Sequence, residues 1–447
     1  MQTRWRGRPI RLHRPVVRND QILVRVEPGS AARYLRAGTL KVSFAGFDPA
    51  ALPTSMLALP ALGTVLTVAI AAGVPVEVDE VDAEFAAGVD AMVPVWQRMH
   101  PRFRTARFAF NADRVATPIP VGTGDVLLWS GGLDSTASLL EHTGSISALF
   151  TVWGADVELR DAPLWAALNR HFDEDELAAS IPRLTARSNM RHFPILHTLA
   201  HDFLAPGESW WGRVQHGLAL AGLAAPATVA VGASGLIRAS SFSPESHQPT
   251  GSMPELDALT RWAGVTVHHE GFELTRQGKI TERLAPYLAG GGRLNLAVCY
   301  RRGRHDTARG LNCGDCEKCM RTAAGLLAAG IDPASVGVRI ENRSYARWTL
   351  RLQDGLPLAK HALPFWREVT DALSAAPPLP TEVAAADFIR ALSQEDALVP
   401  SAPRTDLADY RRNYRAKRRA VHVARLQASA RDLVRTLRRK GRLSLAG

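Results

Sequence analysis

The chain has 447 residues, 46% of them hydrophobic, which is enough for two or three domains with real cores and excludes a disordered protein. Its formal charge of +11 suggests a polyanion binder only until its distribution is read. Residues 411–447 hold thirteen Lys/Arg against Asp432, a net +12, so the other 410 residues sum to −1. Four cysteines in 447 residues exclude a disulfide-dense secreted scaffold.

In chain order, the basic start MQTRWRGRPIRLHRP has no apolar run behind it and does not read as a secretory signal, so a cytoplasmic location is expected. QILVRVE (21–27) and TLKVSFAG (39–46) alternate like strands. The charge-free segment 49–76 is long enough to span a membrane, but four prolines and its flanks Asp48 and Glu77 favour a buried helix. A short strand near 75–78 and a helix over 82–98 complete an N-terminal α/β domain, residues 1–118, in which no chemistry is evident.

From residue 125 the apolar runs DVLLW, ISALFTVWG, FPILHTL, ATVAVGAS and RLNLAVCY read as strands alternating with helical stretches. The fold class expected is α/β, a doubly wound parallel sheet over 119–330 that binds its ligand at the carboxyl ends of the strands. A helical extension (331–410) and the basic tail (411–447) follow. The tail is amphipathic in places (Val421, Leu426, Leu433, Leu437), so its candidate partners are RNA, an anionic membrane surface or a protein, against a plain solvated helix.

The run DVLLWSGGLDSTASLL (125–140) carries the first chemistry. Gly131-Gly132 permits a sharp turn and brings backbone N–H groups close to a ligand, and the helix that follows offers its free N–H groups and positive dipole end to an anion. Ser130, Ser135 and Thr136 add hydroxyl donors, and Asp134 is a candidate for holding Mg²⁺. A plain strand-to-helix turn capped by Asp134 or Ser135 is the alternative. No Lys follows the glycines, so this is not the Walker form.

Ser130-Gly131-Gly132-Leu133-Asp134-Ser135-Thr136 resembles the SGGxDS loop of the ATP pyrophosphatases, which include GMP synthetase, asparagine synthetase, NAD synthetase and 7-cyano-7-deazaguanine synthase. The resemblance implies the adenine nucleotide alpha-hydrolase-like (HUP) fold. It also implies ATP binding by residues 130–136 and cleavage between the α and β phosphates, with Asp134 and Ser135 as catalytic residues.

All four cysteines lie between Cys299 and Cys319, as Cys299 and then Cys313-Gly-Asp-Cys316-Glu-Lys-Cys319-Met-Arg321. Thiolates at this spacing suit a closed tetrahedral Zn²⁺ site of structural type, with an iron–sulfur cluster as the alternative. Cys299 with CGxCxxCxxR resembles the zinc site of 7-cyano-7-deazaguanine synthase and its relatives, and the whole resemblance covers about residues 124–325. Where that family has an Arg-Asn pair before the fourth strand, this chain has Gln215-His216.

Among the remaining candidates, Lys279, with Arg276 beside it, resembles the lysine after the fourth strand of the pyrophosphatase-loop enzymes, which implies neutralisation of the leaving pyrophosphate, against a surface charge pair. His216, Arg238, His247 and Arg321 are candidate substrate contacts, His216 also as a base, each against a merely structural role. The function expected is that of an ATP-dependent carbon–nitrogen ligase: a small-molecule carboxylate is adenylated and ammonia or an amine displaces AMP, with ATP, Mg²⁺ and Zn²⁺ as cofactors. The alternatives are an ATP-dependent sulfurtransferase acting on tRNA or a small molecule, and a non-catalytic nucleotide-binding protein.

Overall fold

A computed structural model describes residues 7–118, 122–299, 310–358, 362–375, 380–394 and 397–400; the basic tail expected at 411–447 lies outside them. Twelve strands form one sheet: β1 (Ile10–Leu12), β2 (Val16–Arg18), β3 (Gln21–Glu27), β4 (Gly38–Ala45), β5 (Val76–Asp82), β6 (Phe110–Val115), β7 (Asp125–Leu128), β8 (Ile146–Trp153), β9 (Arg183–Ser188), β10 (Gly235–Ala239), β11 (Arg261–Trp262) and β12 (Val265–Glu270). The sequence of neighbours is β11-β12-β10-β7-β8-β9-β4-β3-β1-β5-β6, with β2 paired to β3.

Within it, β12, β10, β7, β8 and β9 are mutually parallel. Strand β7 has its two successors β8 and β9 on one side and β10 and β12 on the other, so the order reverses between β7 and β10, as in a doubly wound sheet. The helices lie on both faces because the strands alternate. Val126, Ala148, Phe150 and Leu236 share a core with helices Leu59–Ala72 and His216–Ala230. Their neighbours Leu127, Leu149 and Ile237 share another with Leu164, Leu168 and Phe172 of helix Ala162–Asp173.

Strands from both sides of residue 118 belong to this one sheet: β4 pairs antiparallel with β9, with Phe44 opposite Ala186. The charge-free segment forms the short helix Thr54–Leu57 and the helix Leu59–Ala72, whose fourteen residues are all buried. A helix with no polar face needs cover all round. It packs on helix His216–Ala230, while helix Ala83–Met99 touches β5, β6 and also β11, so the sheet curves round the central helices. Asp82 fastens this wrap: its carboxylate accepts from Phe85 N at 2.9 Å, capping helix Ala83–Met99, and from Ala263 N at 3.3 Å in the β11–β12 turn. No helix among the described residues is long and apolar enough to cross a membrane.

Three of the strands expected from apolar runs fall elsewhere. FPILHTL gives way to helix Leu196–Phe203, and the strand beside β8 is the polar RLTARS, β9. The first half of ATVAVGAS is the end of helix His216–Ala230, and the strand begins at Gly235. The apolar residues of RLNLAVC are buried without joining the ladder: Ala297 N donates to Gly131 O (2.7 Å), Leu296 N to Val336 O (2.9 Å) and Val298 N to Asn312 Oδ1 (2.8 Å). Its place in the parallel block is taken by β12, VTVHHE.

Beyond the cysteines, helices Glu317–Ala328, Asn342–Gln353, Leu363–Leu373 and Val383–Leu392 enclose a separate core containing Met320, Trp348, Trp366 and Phe388. Contacts divide the chain into this body and a second unit made of Ala205–Glu208 and residues 402–447. In the latter, the described residues Ala205–Glu208 form a turn closed by Glu208 N donating to Ala205 O at 3.2 Å.

Candidate active site and metal centre

Strand β7 ends at Leu128, and the loop beyond it opens at the point where strand order reverses. Gly131 takes φ +67°, a left-handed conformation that glycine adopts without strain, and a Cβ there would stand 2.7 Å from Phe172. Helix Leu133–Glu141 follows with Gly132 as its N-cap and no side-chain cap, so neither Asp134 nor Ser135 spends itself on the backbone N–H groups of the first turn. Ser130 Oγ lies 3.2 Å from Ser135 Oγ and accepts from Gly132 N at 3.3 Å.

Ser130, Gly132, Asp134 and Ser135 line a cavity of about 500 Å³ together with Arg276, Lys318 and Arg321. Gly131 shapes the turn from behind. Leu133 is fully buried in the core beneath the helix, and Thr136 is buried with its N–H donating to Gly132 O at 2.9 Å, so neither side chain meets the cavity as expected of ligand contacts.

Asp134 organises the cations. Arg276 Nη2 stands 3.2 Å from its Oδ2 and Lys279 Nζ 3.8 Å from its Oδ1, and Ser241 Oγ donates to Oδ2 at 3.2 Å. Burial works to raise the pKa of this carboxyl, but Arg276, Lys279, Lys318 and Arg321 together outweigh burial and hold it below the usual carboxylate range. Lys279 is 1% exposed, and its ammonium donates to Ser240 O at 2.5 Å. Burial depresses its pKa, against the pull of Asp134. Lys279 thus stands behind the cavity wall, and Arg276, on the same short helix Arg276–Lys279, is the cation that reaches the cavity. Arg276 is nine-tenths buried, and its Nε and Nη2 have no hydrogen-bond partner among the described residues. A carboxylate encircled by four cations is a poor seat for a divalent ion, so the arrangement does not fit Asp134 as a Mg²⁺ ligand. Its observed work is to balance Arg276 and Lys279.

Of the other expected contacts, His216, Arg238 and Arg321 line the cavity, and His247 does not: its ring stands edge-on to Phe272, centroids 5.6 Å apart. Gln215 is buried and donates to Thr64 O at 3.3 Å, facing the N-terminal helix instead of the site. Arg238 donates to Gly217 O at 2.7 Å and pairs with buried Asp257, which also receives His269 Nδ1 (2.7 Å) and Ser252 Oγ (2.8 Å). Burial opposes ionisation of Asp257, but Arg238 and His269 keep it ionised below the usual range. Lys318, Asp156, Trp165, Trp211, His269 and Phe365 also line the cavity without having been singled out from the sequence. Only Lys318, inside the cysteine motif, carried a signal there.

The four cysteine sulfurs lie within 4.8 Å of one another, and they are the one cluster of three or more potential metal-ligating side chains among the described residues. Cys299–Cys316, Cys313–Cys319 and Cys316–Cys319 separations are 3.8, 4.0 and 3.5 Å. Sulfurs about 2.3 Å from a zinc ion form a tetrahedron with edges of about 3.8 Å, so the site can hold a metal ion such as zinc. Gly314 at φ +63° forms the knuckle that lets Cys316 N donate to Cys313 Sγ at 3.3 Å. Cys316 is the N-cap of helix Glu317–Ala328, and that helix carries Lys318 and Arg321 to the cavity. The C-terminal helices brace it: Trp366 Nε1 donates to Glu317 at 2.9 Å, Phe365 lies under the Arg321 guanidinium at 4.4 Å, and Glu368 accepts from Arg276 N at 2.9 Å.

No protein-family model, curated protein or solved structure matches this chain.

Proposed function

We propose that the cavity binds ATP and that the protein adenylates a small-molecule carboxylate, releasing pyrophosphate, for attack by ammonia or an amine. The observation that carries the reading is the meeting of an uncapped helix N-terminus, after Gly131 at φ +67°, with Arg276, Lys318 and Arg321 in one cavity at the strand-order reversal. An uncapped N-terminus facing three cations suits a polyphosphate, and it suits a leaving pyrophosphate best, because fixed donors stabilise charge where it develops. The SGGxDS resemblance supplies the bond cleaved and the HUP assignment; the 3-2-1-4-5 order of β9, β8, β7, β10 and β12 is consistent with the latter.

In this mechanism the backbone of 132–135 and the Ser130 and Ser135 hydroxyls hold the β and γ phosphates, while Arg276 and Arg321 take up the charge of the leaving group. Asp134 keeps Arg276 oriented. Zinc on the four thiolates would be structural, fixing the helix that bears Lys318 and Arg321. Sulfur transfer through a free thiol is disfavoured because all four cysteines of the chain converge on one point, which leaves no separate thiol to carry sulfur.

The test is release of AMP and pyrophosphate from ATP with pooled aliphatic and heteroaromatic carboxylates and ammonium. Both products in equal amounts, dependent on a carboxylate, are expected. ADP and phosphate, or no turnover together with tight ATP binding, would overturn the reading, the latter in favour of a nucleotide-binding protein.

A further inference from the structure

The cavity has walls on both sides of β7, and the β10 side holds an imidazole in an unusual setting. Residues Trp211–Gln215 form a π-turn, so the backbone N–H of His216 reaches back five residues to Trp211 O. The same carbonyl lies 3.0 Å from His216 Nδ1. A carbonyl only accepts, so Nδ1 carries the proton and Nε2 keeps its lone pair. Nε2 has no hydrogen-bond partner among the described residues, and the ring lines the cavity. Burial and the neighbouring Arg238 hold the ring's pKa below the ordinary histidine range, against the opposing pull of the Trp211 carbonyl, Asp257 and Asp156, which keeps that lone pair available at neutral pH.

Three other groups at or near the cavity are committed, whereas Asp156 is an exposed carboxylate on the cavity lining. His269 uses both ring nitrogens, on Asp257 and on Ser240 Oγ (2.9 Å). Asp134 is compensated by cations and is a weak base, and Lys279 is held by Ser240 O.

We propose that His216 is the general base of the nitrogen-transfer step. The proposal rests on the adenylation reading. The nitrogen lone pair attacks the acyl carbon of the carboxyl–AMP anhydride and a C–N bond forms. The C–O bond to AMP breaks, and AMP leaves with the bonding pair. The nitrogen, now positively charged, gives one proton to His216 Nε2, which passes it to solvent before the next turnover.

The experiment compares wild type with His216→Asn, whose amide can still donate to Trp211 O but offers no lone pair in place of Nε2. Using ATP and the carboxylate pool, amide formation from ¹⁵N-ammonium is measured beside hydroxamate formation from hydroxylamine, whose addition product carries a more acidic N–H and needs little base assistance. Amide formation should fall about 10²-fold or more, as for loss of a general base, with hydroxamate formation falling about tenfold or less. The acidic limb of the wild-type rate profile should disappear in the variant, and the ¹⁵N spectrum of His216 in the full-length protein should show the Nδ1–H tautomer. Equal losses with both nucleophiles, an unchanged amide rate, or an imidazolium at pH 7 would overturn the assignment. If wild type releases no AMP with any carboxylate, the adenylation reading itself fails, which is a different result from AMP release with an indifferent histidine.

Discussion

The two adjacent glycines of the loop make different demands, and substituting each in turn separates fold from ligand. Gly131 sits at φ +67°, and an added Cβ would meet Phe172 Cε1 at 2.7 Å. Gly131→Ala therefore carries the left-handed penalty of about 1–2 kcal/mol, before any movement of the ring. That is a factor of roughly 5–30 in the folding equilibrium, or a fall of about 1–2 °C in Tm for a chain of this length. Gly132 has φ −83° and ψ 167°, which any residue adopts, and its Cβ would meet Ser130 Oγ at 3.2 Å and Ala297 O at an ordinary 3.9 Å. Gly132→Ala should melt within about a degree of wild type, yet its methyl enters the cavity wall at the helix N-terminus. A tenfold weaker Kd, about 1.4 kcal/mol, is expected for a non-hydrolysable ATP analogue. Thermal melting and isothermal titration of both variants check the pair. A Gly131→Ala protein that melts with wild type, or a Gly132→Ala protein with full affinity, would refute the reasoning.

Three further outcomes are expected. Cys316→Ser should abolish the metal, read by elemental analysis as loss of one zinc per chain, and weaken pyrophosphate binding, because the helix that starts at Cys316 carries Lys318 and Arg321. Asp134→Asn leaves Lys279 and Arg276 buried without their counter-charge, and urea unfolding should register about 3–5 kcal/mol. His216 has a depressed folded-state pKa, so its contribution to stability is complete above the unfolded value of 6.5 and is lost as pH falls from there toward the folded value. Chemical denaturation of wild type and His216→Asn across pH 5–7 should therefore show a steeper acid loss in wild type.

The loop and the cysteine cluster were legible because their residue types are dictated by local chemistry: a positive φ at Gly131, four thiolates at one point. Strands β7 and β8 were legible because both of their faces are covered, which makes them continuous apolar runs. Strand β9 was not, since its buried positions alternate with Arg183, Thr185 and Arg187. RLNLAVC misled for the opposite reason: a short apolar run reports burial, and burial here comes from wedging between the loop at Gly131 and the turn at Val336. Lys318, Arg276 and Phe365 share one wall through contacts made by three separate helices, and no single window of sequence contains that meeting.

The antiparallel seam between β4 and β9 has a consequence for synthesis. Ala45 must wait for Thr185 before it has a neighbour, so a strand completed early on the ribosome presents an open edge while well over a hundred further residues emerge. The same seam governs dissection. A fragment beginning near residue 119 would retain the loop and the cysteines but expose β9 as a bare edge and uncover the face packed by helix Leu59–Ala72, and it should aggregate more readily than the whole chain.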